Sequence, residues 1–294
     1  MFSDEALTMQ SLNQKLNFSD SEITTLKKLN HKCKYLDENE LLNLVNNSNN
    51  RNSFSALSLN IRSLPCNWFE FQNFLDCSFG KNKPTIVCLQ EVWNVPPGSN
   101  FSLQNFHPLF YTLREKGNGP NKDGGRGGGV GLFVNETHSY QPLNEYSIFI
   151  SRVFESQFVK VKTGKSKYTI VGNIYKPPST DIKRFNEILN NLLLKIKNDF
   201  KNAQDVILLG DININLLKHT SHNDTQHYLD TLLENGYMPL INLPTRITEN
   251  SATLIDHILT NINDLDSLET AVITSHISDH LPIFVLCQSN NKKK

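Results

Sequence analysis

Short apolar runs that end in a polar or acidic residue recur along this chain. The clearest is VILLGDIN at 206–213. Its four leading apolar residues are too few for a buried helix and suit a buried strand. Gly210 interrupts the run, where backbone can approach closely or bend. Asp211 and Asn213 follow two residues apart, so they project alike if the extended geometry continues. On its own the segment fits an Asx turn as well as a site. The same form recurs in FSALSLN at 54–60, ending in Asn60, and in TIVCL at 85–89, followed by Gln90 and Glu91. Residues 168–175 end in Tyr175 and pair as a hairpin with 157–161 across turn residues 163–167. Pro177 and Pro178 end that pairing. Further strands are expected at 130–134, within 252–260 (ATLIDHILT), at 270–275 and at 282–286, the last closing its sheet.

Three stretches have helical periodicity instead. Residues 67–76 carry Trp68, Phe69, Phe71 and Phe74, which a helix packed on a sheet explains better than a platform for stacking bases. Residues 181–200 place Ile182, Phe185, Ile188, Leu189, Leu192, Leu193 and Ile196 on one side. Residues 225–234 are stopped by Asn235-Gly236. Before the first long strand, Ser19 to Glu22 and Asp37 to Glu40 have capping-box spacing. Residues 1–50 thus read as a short helical N-terminal extension whose polar linker runs on to residue 53, 54–288 as the main domain, and 289–294 as a basic tail. Strands outnumber helices and the two alternate irregularly. The expected class is α+β, with two sheets packed face to face and helices outside.

Composition narrows the chemistry. Lys+Arg and Asp+Glu both number 29 in 294 residues, so any basic footprint for nucleic acid must be local. Cys33, Cys66, Cys77, Cys88 and Cys287 are scattered without CxxC pairs, which predicts reduced, buried thiols in an intracellular protein and no zinc site. No apolar run reaches the roughly 18 residues of a membrane span, and the N-terminus lacks a signal peptide's apolar region. REKGNGPNKDGGRGGG at 114–129 carries Arg114, Lys116, Lys122 and Arg126 without a Walker A Gly-Lys-Ser/Thr. It fits a surface hairpin or a basic loop that approaches phosphates.

Polar residues suited to a metal or a phosphate stand at or beside the ends of separate apolar strands: Asn60, Glu91, Tyr175, Asp211 with Asn213, Asp256, and Asp279 with His280. One coincidence means little, but six imply a convergent site. The ordered set LNIRS, LQEVW, NIYKPP, GDININ, IDHI and SDH resembles the endonuclease/exonuclease/phosphatase superfamily over residues 54–288. Within it the chain looks most like the endonuclease domain of non-LTR (LINE-type) retrotransposons.

That resemblance implies a four-layer α/β/β/α sandwich and metal-dependent phosphodiester hydrolysis where the two sheets meet. It implies Mg²⁺, with Mn²⁺ able to replace it, held by Glu91 with Asn60 beside it and Asp279 nearby. Asp211 matches the residue that orients or deprotonates the attacking water, with Asn213 steadying it. Tyr175 matches a tyrosine near the scissile phosphate, and His280 the phosphate-contacting histidine, with Asp256 its partner. Whether His280 or Asp211 is the base stays open. Arg62 stands where apurinic-site endonucleases of the superfamily carry an acidic residue, which argues against an abasic-site repair enzyme. Arg62, Ser63 and Arg126 are expected on DNA phosphate, and Thr245 and Thr253 either on the DNA backbone or in ordinary turn chemistry. The loop at 114–126 and residues 215–224 are the expected readers of target shape. His257 should face away from Asp256 in a structural or surface role, and His219, His222 and His276 should lie at the surface.

The implied protein nicks double-stranded target DNA in the nucleus and leaves a 3′-hydroxyl that primes reverse transcription. A reverse transcriptase or ribonucleoprotein of the element, encoded outside this chain, is the further partner. These 294 residues then represent a truncated element, a domesticated copy or an excised domain. Two alternatives stand beside it: a phosphatase or phosphodiesterase of the same fold acting on lipid or inositol phosphates, and a catalytically inactive DNA-binding remnant.

Overall fold

The computed structural model describes residues 33–48, 53–93, 95, 99, 101–112, 127–200 and 205–288. The basic loop 114–126 with Arg126, the first capping box and the tail 289–294 lie outside the described residues. The strands are β1 (Lys34–Leu36), β2 (Phe54–Asn60), β3 (Ile86–Gln90), β4 (Phe110–Thr112), β5 (Val130–Val134), β6 (Tyr140–Pro142), β7 (Phe149–Ile150) and β8 (Phe154–Lys162). They continue with β9 (Tyr168–Tyr175), β10 (Asp205–Asp211), β11 (Met238–Pro239), β12 (Arg246–Ile247), β13 (Ala252–Thr253), β14 (Asp256–Thr260), β15 (Leu268–Ile273) and β16 (Ile283–Cys287). The helices are α1 (Glu38–Asn47), α2 (Leu64–Phe79), α3 (Ile182–Phe200) and α4 (Asn223–Glu234).

Two mixed sheets form. One runs β1-β15-β16-β2-β3-β5-β4 and the other β11-β14-β10-β9-β8-β6, with β7 on β8; β12 and β13 make a separate ribbon. The period-2 geometry of a strand sorts its residues between two apolar layers. In β2, Phe54 and Ala56 join the layer shared with the second sheet, whereas Leu57 and Leu59 join the layer under α1 and α2. Ile86 and Cys88 against Val87 and Leu89 divide β3 in the same way. On the far side, Phe185, Leu189, Leu192, Leu193 and Ile196 of α3 are buried, the stripe the periodicity predicts. The result is a helix–sheet–sheet–helix sandwich.

The caps explain where the helices begin. Asp37 and Glu40 form the expected reciprocal capping box on α1. β1 then pairs in parallel with β15, and Leu41 and Val45 of α1 pack in the α2 layer, so residues 33–48 belong to the sandwich. Ser63 caps α2, which runs longer than the 67–76 read from the aromatic spacing. Phe71 and Phe74 enter the core, but Phe69 is 69% exposed, because it lies on the solvent side of the helix. β16 does not close its sheet; it sits between β15 and β2. Cys66 and Cys77 are exposed on α2 rather than buried, while Cys88 is fully enclosed. His219 is buried against the Leu216 carbonyl, not at the surface.

Gly210 lets β10 lie close to β9. A Cβ built there would fall 1.8 Å from the Ile174 carbonyl oxygen, and its φ is +151°. Gly210→Ala should therefore lower unfolding stability by about 2–4 kcal/mol through backbone displacement. Urea unfolding of the variant checks this, and a loss under about 0.5 kcal/mol, the usual limit for a neutral surface change, would refute the close approach.

Candidate active site

Register brings the acids together. β10 and β14 are antiparallel with Asp211 opposite Asp256, and directly opposed residues share a face of the sheet. Asn60 ends β2 opposite Gln90, so Glu91 emerges one residue beyond the end of β3, beside Asn60. Ser278 donates to the Asn60 carbonyl at 2.7 Å and accepts from the His280 amide, which ties the SDH segment to the end of β2.

One amide joins the two sheets. Asn60 Nδ2 donates to Glu91 Oε1 at 3.1 Å and to Asp211 Oδ2 at 2.8 Å. Its Oδ1 accepts from the Arg62 amide at 3.1 Å, which fixes the orientation of the side chain. Glu91 also accepts from the Tyr175 hydroxyl at 2.9 Å and the Trp93 indole at 3.0 Å. Burial and the Glu91 carboxylate push the Tyr175 hydroxyl far above its ordinary range, so it stays a donor. Of the seven described non-glycine residues with positive φ, five are here: Arg62, Ser63, Glu91, Trp93 and Asn213. Such conformations cost on the order of 1 kcal/mol each and persist where the surroundings hold them.

Asp211 is buried and accepts three bonds besides register contacts: Asn60 Nδ2, the Asn213 amide at 3.0 Å and Asn213 Nδ2 at 3.0 Å. Burial, then the Asp256 charge, raises its carboxyl to about 7, although His280 and Asn60 pull the other way. His280 Nδ1 lies 2.9 Å from Asp256 Oδ2. Burial lowers the imidazole, but the Asp256, Asp211 and Asp279 carboxylates outweigh it and raise the group to about 9. His280 is therefore an imidazolium at neutral pH, with Nε2 left for a substrate oxygen.

The structure divides the remaining expectations. Thr245 is fully buried and donates to Asp256 at 2.6 Å, which fixes that carboxylate. Ser63 is buried with its hydroxyl at the α2 N-terminus. Thr253 stands half-buried on the β12–β13 ribbon opposite Arg246. Asp279 does not sit free beside the site: it pairs with Arg62 at 2.9 Å and with Arg246 at 2.7 Å. His257 faces away from Asp256 into the core, against the Tyr228 hydroxyl. In 215–224, Leu216, Leu217 and His219 are buried while Lys218 and Thr220 remain exposed.

Sequence reasoning missed two partners. Trp93 lay in the quoted LQEVW, but nothing in a strand-end pattern says that an indole two residues on folds back. Arg246 lay in NLPTRIT and showed no partner until β12 met the SDH segment. A second polar layer was also invisible: Gln90 donates to Asn173 at 2.7 Å, and Asn173 to the carbonyls of Leu89 and Gly131, linking the sheets beneath the site. Beside it, buried Glu155 accepts from the Gly129 amide at 2.6 Å, and Trp93 donates its own amide to Gly128. The stem of the Gly-rich loop is thereby fastened next to Glu91. Trp93→Phe should weaken Mn²⁺ binding by about fivefold, the worth of one hydrogen bond of about 1 kcal/mol to a carboxylate. Titration followed by Mn²⁺ resonance checks this, and an unchanged affinity would remove the indole from the site.

Among the described residues, two places at this site could hold a divalent cation. Asp211, Asp256 and His280 each offer one ligand atom within 4.8 Å of the others. In that group the Asp256 charge is already met by His280. Glu91 is the better fit: it has three neutral donors and, among the described residues, no cationic partner. A hard cation that keeps most of its waters needs little more than one or two such carboxylates.

A carboxylate with no cationic partner among the described residues, a buried carboxyl raised to about 7 and an imidazolium thus meet where the two sheets come together. The chain belongs to the Endonuclease/Exonuclease/phosphatase family, whose model matches residues 51–280. No curated protein sequence matches it. Among solved structures, the endonuclease domain of TRAS1, a telomere-specific non-LTR retrotransposon, is 14% identical with a TM-score of 0.57, covering 81% of this chain and 100% of that one. The AP endonuclease LMAP from Leishmania major is 11% identical with a TM-score of 0.62, over 81% and 88% of the two chains. The 3′ phosphatase NExo from Neisseria, bound to a product DNA hairpin, is 15% identical with a TM-score of 0.56, over 79% and 98%. At these identities the likeness speaks for the fold.

Proposed function

We propose that this protein is a Mg²⁺-dependent endonuclease that nicks duplex DNA, and that it serves as the target-site nickase of a non-LTR retrotransposon. The observation that carries this is the Asn60 amide shared between Glu91 and Asp211, which sets a metal-ready carboxylate beside a proton acceptor. Likeness to the TRAS1 endonuclease domain over that domain's full length supports the retrotransposon assignment. Arg62 in place of an acid supports a substrate held by its phosphates.

Bound at Glu91, Mg²⁺ would polarise a phosphoryl oxygen and balance the charge that develops on it. Asp211, held by Asn60 and Asn213, orients water and takes its proton. The water oxygen forms the new bond to phosphorus as the bond to the 3′-oxygen breaks, leaving a 5′-phosphate and a 3′-alkoxide that takes a proton from solvent to become the 3′-hydroxyl. His280, kept cationic by Asp256, donates to a non-bridging oxygen. Tyr175 stays protonated and holds Glu91. Among the described residues no helix is long and apolar enough to cross a membrane.

Supercoiled plasmid incubated with Mg²⁺ tests the reading. Relaxed circles that vanish with chelator, and with His280→Ala, are expected. Intact plasmid in every lane would refute the nuclease, and release of phosphate from a 3′-phosphorylated oligonucleotide would then point to end processing.

A further inference from the structure

Arg246 takes part in none of the steps above, yet its side chain is tightly placed. Its Nε donates to Asp279 Oδ2 at 2.8 Å, and a terminal nitrogen meets the same oxygen at 2.7 Å. Arg62 reaches the other oxygen, Oδ1, at 2.9 Å. Asp279 is thus bracketed by two guanidiniums that stand far apart in the sequence. Both start from backbone anchored at the site. The Arg62 amide bonds Asn60, and Arg246 is bridged to His280 across an isolated antiparallel pair.

This arrangement leaves charge and donors to spare. Two cations against one anion make the rim net positive, next to the His280 imidazolium, in a chain whose overall charge is zero. Each guanidinium has five N–H donors in a planar fork. Arg62 meets Asp279 only as an ion pair, without a hydrogen bond to Oδ1, and Arg246 commits two donors; their side chains are 49% and 41% exposed. A fork already held in place loses less entropy on meeting a phosphate, whose geometry it matches. The Asp279 charge is already met by two arginines, and its Oδ2 by the Arg246 hydrogen bond. Burial pushes its carboxyl up, but the Arg246 hydrogen bond, the His280 charge and the Arg62 guanidinium together hold it below the usual range.

Resting on the nuclease reading, we propose that Arg62 and Arg246, braced by Asp279, grip a backbone phosphate of the nucleic acid next to the one being cut, and that Asp279 is their positioning residue and not a metal ligand. The site then has a single carboxylate-held cation at Glu91, with fixed arginines supplying positive charge on the opposite rim.

Binding of a fluorescein-labelled DNA duplex in chelator, followed across a salt series, reads the grip without chemistry. The slope of log affinity against log salt should fall by less than about 1 for Arg246→Gln and by about 1 for Arg62→Gln with Arg246→Gln, because the pair neutralises one phosphate. Arg246→Lys keeps the charge and should keep the slope, which separates charge from packing. For Asp279→Asn, Mn²⁺ binding by resonance should stay within about threefold of wild type, whereas Glu91→Gln should lose about 10–100-fold or more. An unchanged slope in the double variant would overturn the grip. A loss of Mn²⁺ binding in Asp279→Asn equal to that in Glu91→Gln would overturn the positioning role. Wild type that neither binds duplex nor nicks plasmid would instead remove the nuclease reading, and the grip with it.

Discussion

Asp211→Ala is expected to slow plasmid nicking by about 10²–10⁴-fold, the range for losing a placed general base. Three hydrogen bonds from Asn60 and Asn213 hold this carboxylate, and its titration near 7 lets it accept a proton at neutral pH and release it again. Folding should survive, because the variant also removes a carboxylate that burial and Asp256 disfavour; Mn²⁺ binding at Glu91 serves as the control. The pH dependence separates the two candidate bases. With Asp211 as base and His280 as cationic donor, the rate should rise as pH approaches about 7 and fall as it passes about 9. A residual rate within about tenfold of wild type, with the rise in rate retained, would exclude Asp211 from the chemistry.

Asp256→Ala is expected to cost about 3–5 kcal/mol of unfolding stability, because it strands the partner of a buried ion pair. His280 would lose both oxygens it faces, and Thr245 would lose the acceptor of its 2.6 Å hydrogen bond. The cost must depend on pH, and its sign follows from linkage. His280 titrates at about 9 when folded and near 6.5 when unfolded, so the folded state holds the extra proton between those values. The stability this supplies is fully present below about 6.5 and is lost as pH rises through about 9. Asp211, raised from 3.8 to about 7 by burial and then by the Asp256 charge, costs stability increasingly over that span and gains partial relief when Asp256 is removed. Both effects make the gap between wild type and variant wider at pH 6 than at pH 9.5. Urea midpoints measured in chelator at the two pH values check this, and a gap equal at both would rule out the ion pair as its source.

Much of this was open to reading along the chain. Asn60, Glu91, Tyr175, Asp211 and Asp256 each sit at or just past the end of an apolar run, because a strand end leaves a buried layer at the sheet edge. The Asp37–Glu40 box and the α3 stripe are local too, set by spacings of three and four residues. The roles of neighbours were not readable. Thr245 has the composition of a turn residue, and only the approach of β14 turns its hydroxyl onto Asp256. Phe69 and Phe71 differ by 69% exposure against none on one aromatic helix, a choice made by which side meets the sheet.

Sequence alone determined the longer strands and helices, where Gly210 must let backbone close in, and which strand ends carry acids; the short strands, and the break of 252–260 into β13 and β14, were not legible in it. The legible features are properties of consecutive residues, governed by side-chain periodicity and local backbone freedom. Tertiary structure alone decided that Asn60 bridges Glu91 and Asp211 across 151 residues of chain, that Asp256 faces Asp211 in register, and that Arg62 and Arg246 converge on Asp279. The reason is that hydrogen bonds and charge pairs act over about 3 Å. Strand order and register, set by burial across the two sheets, determine which distant residues come within that reach.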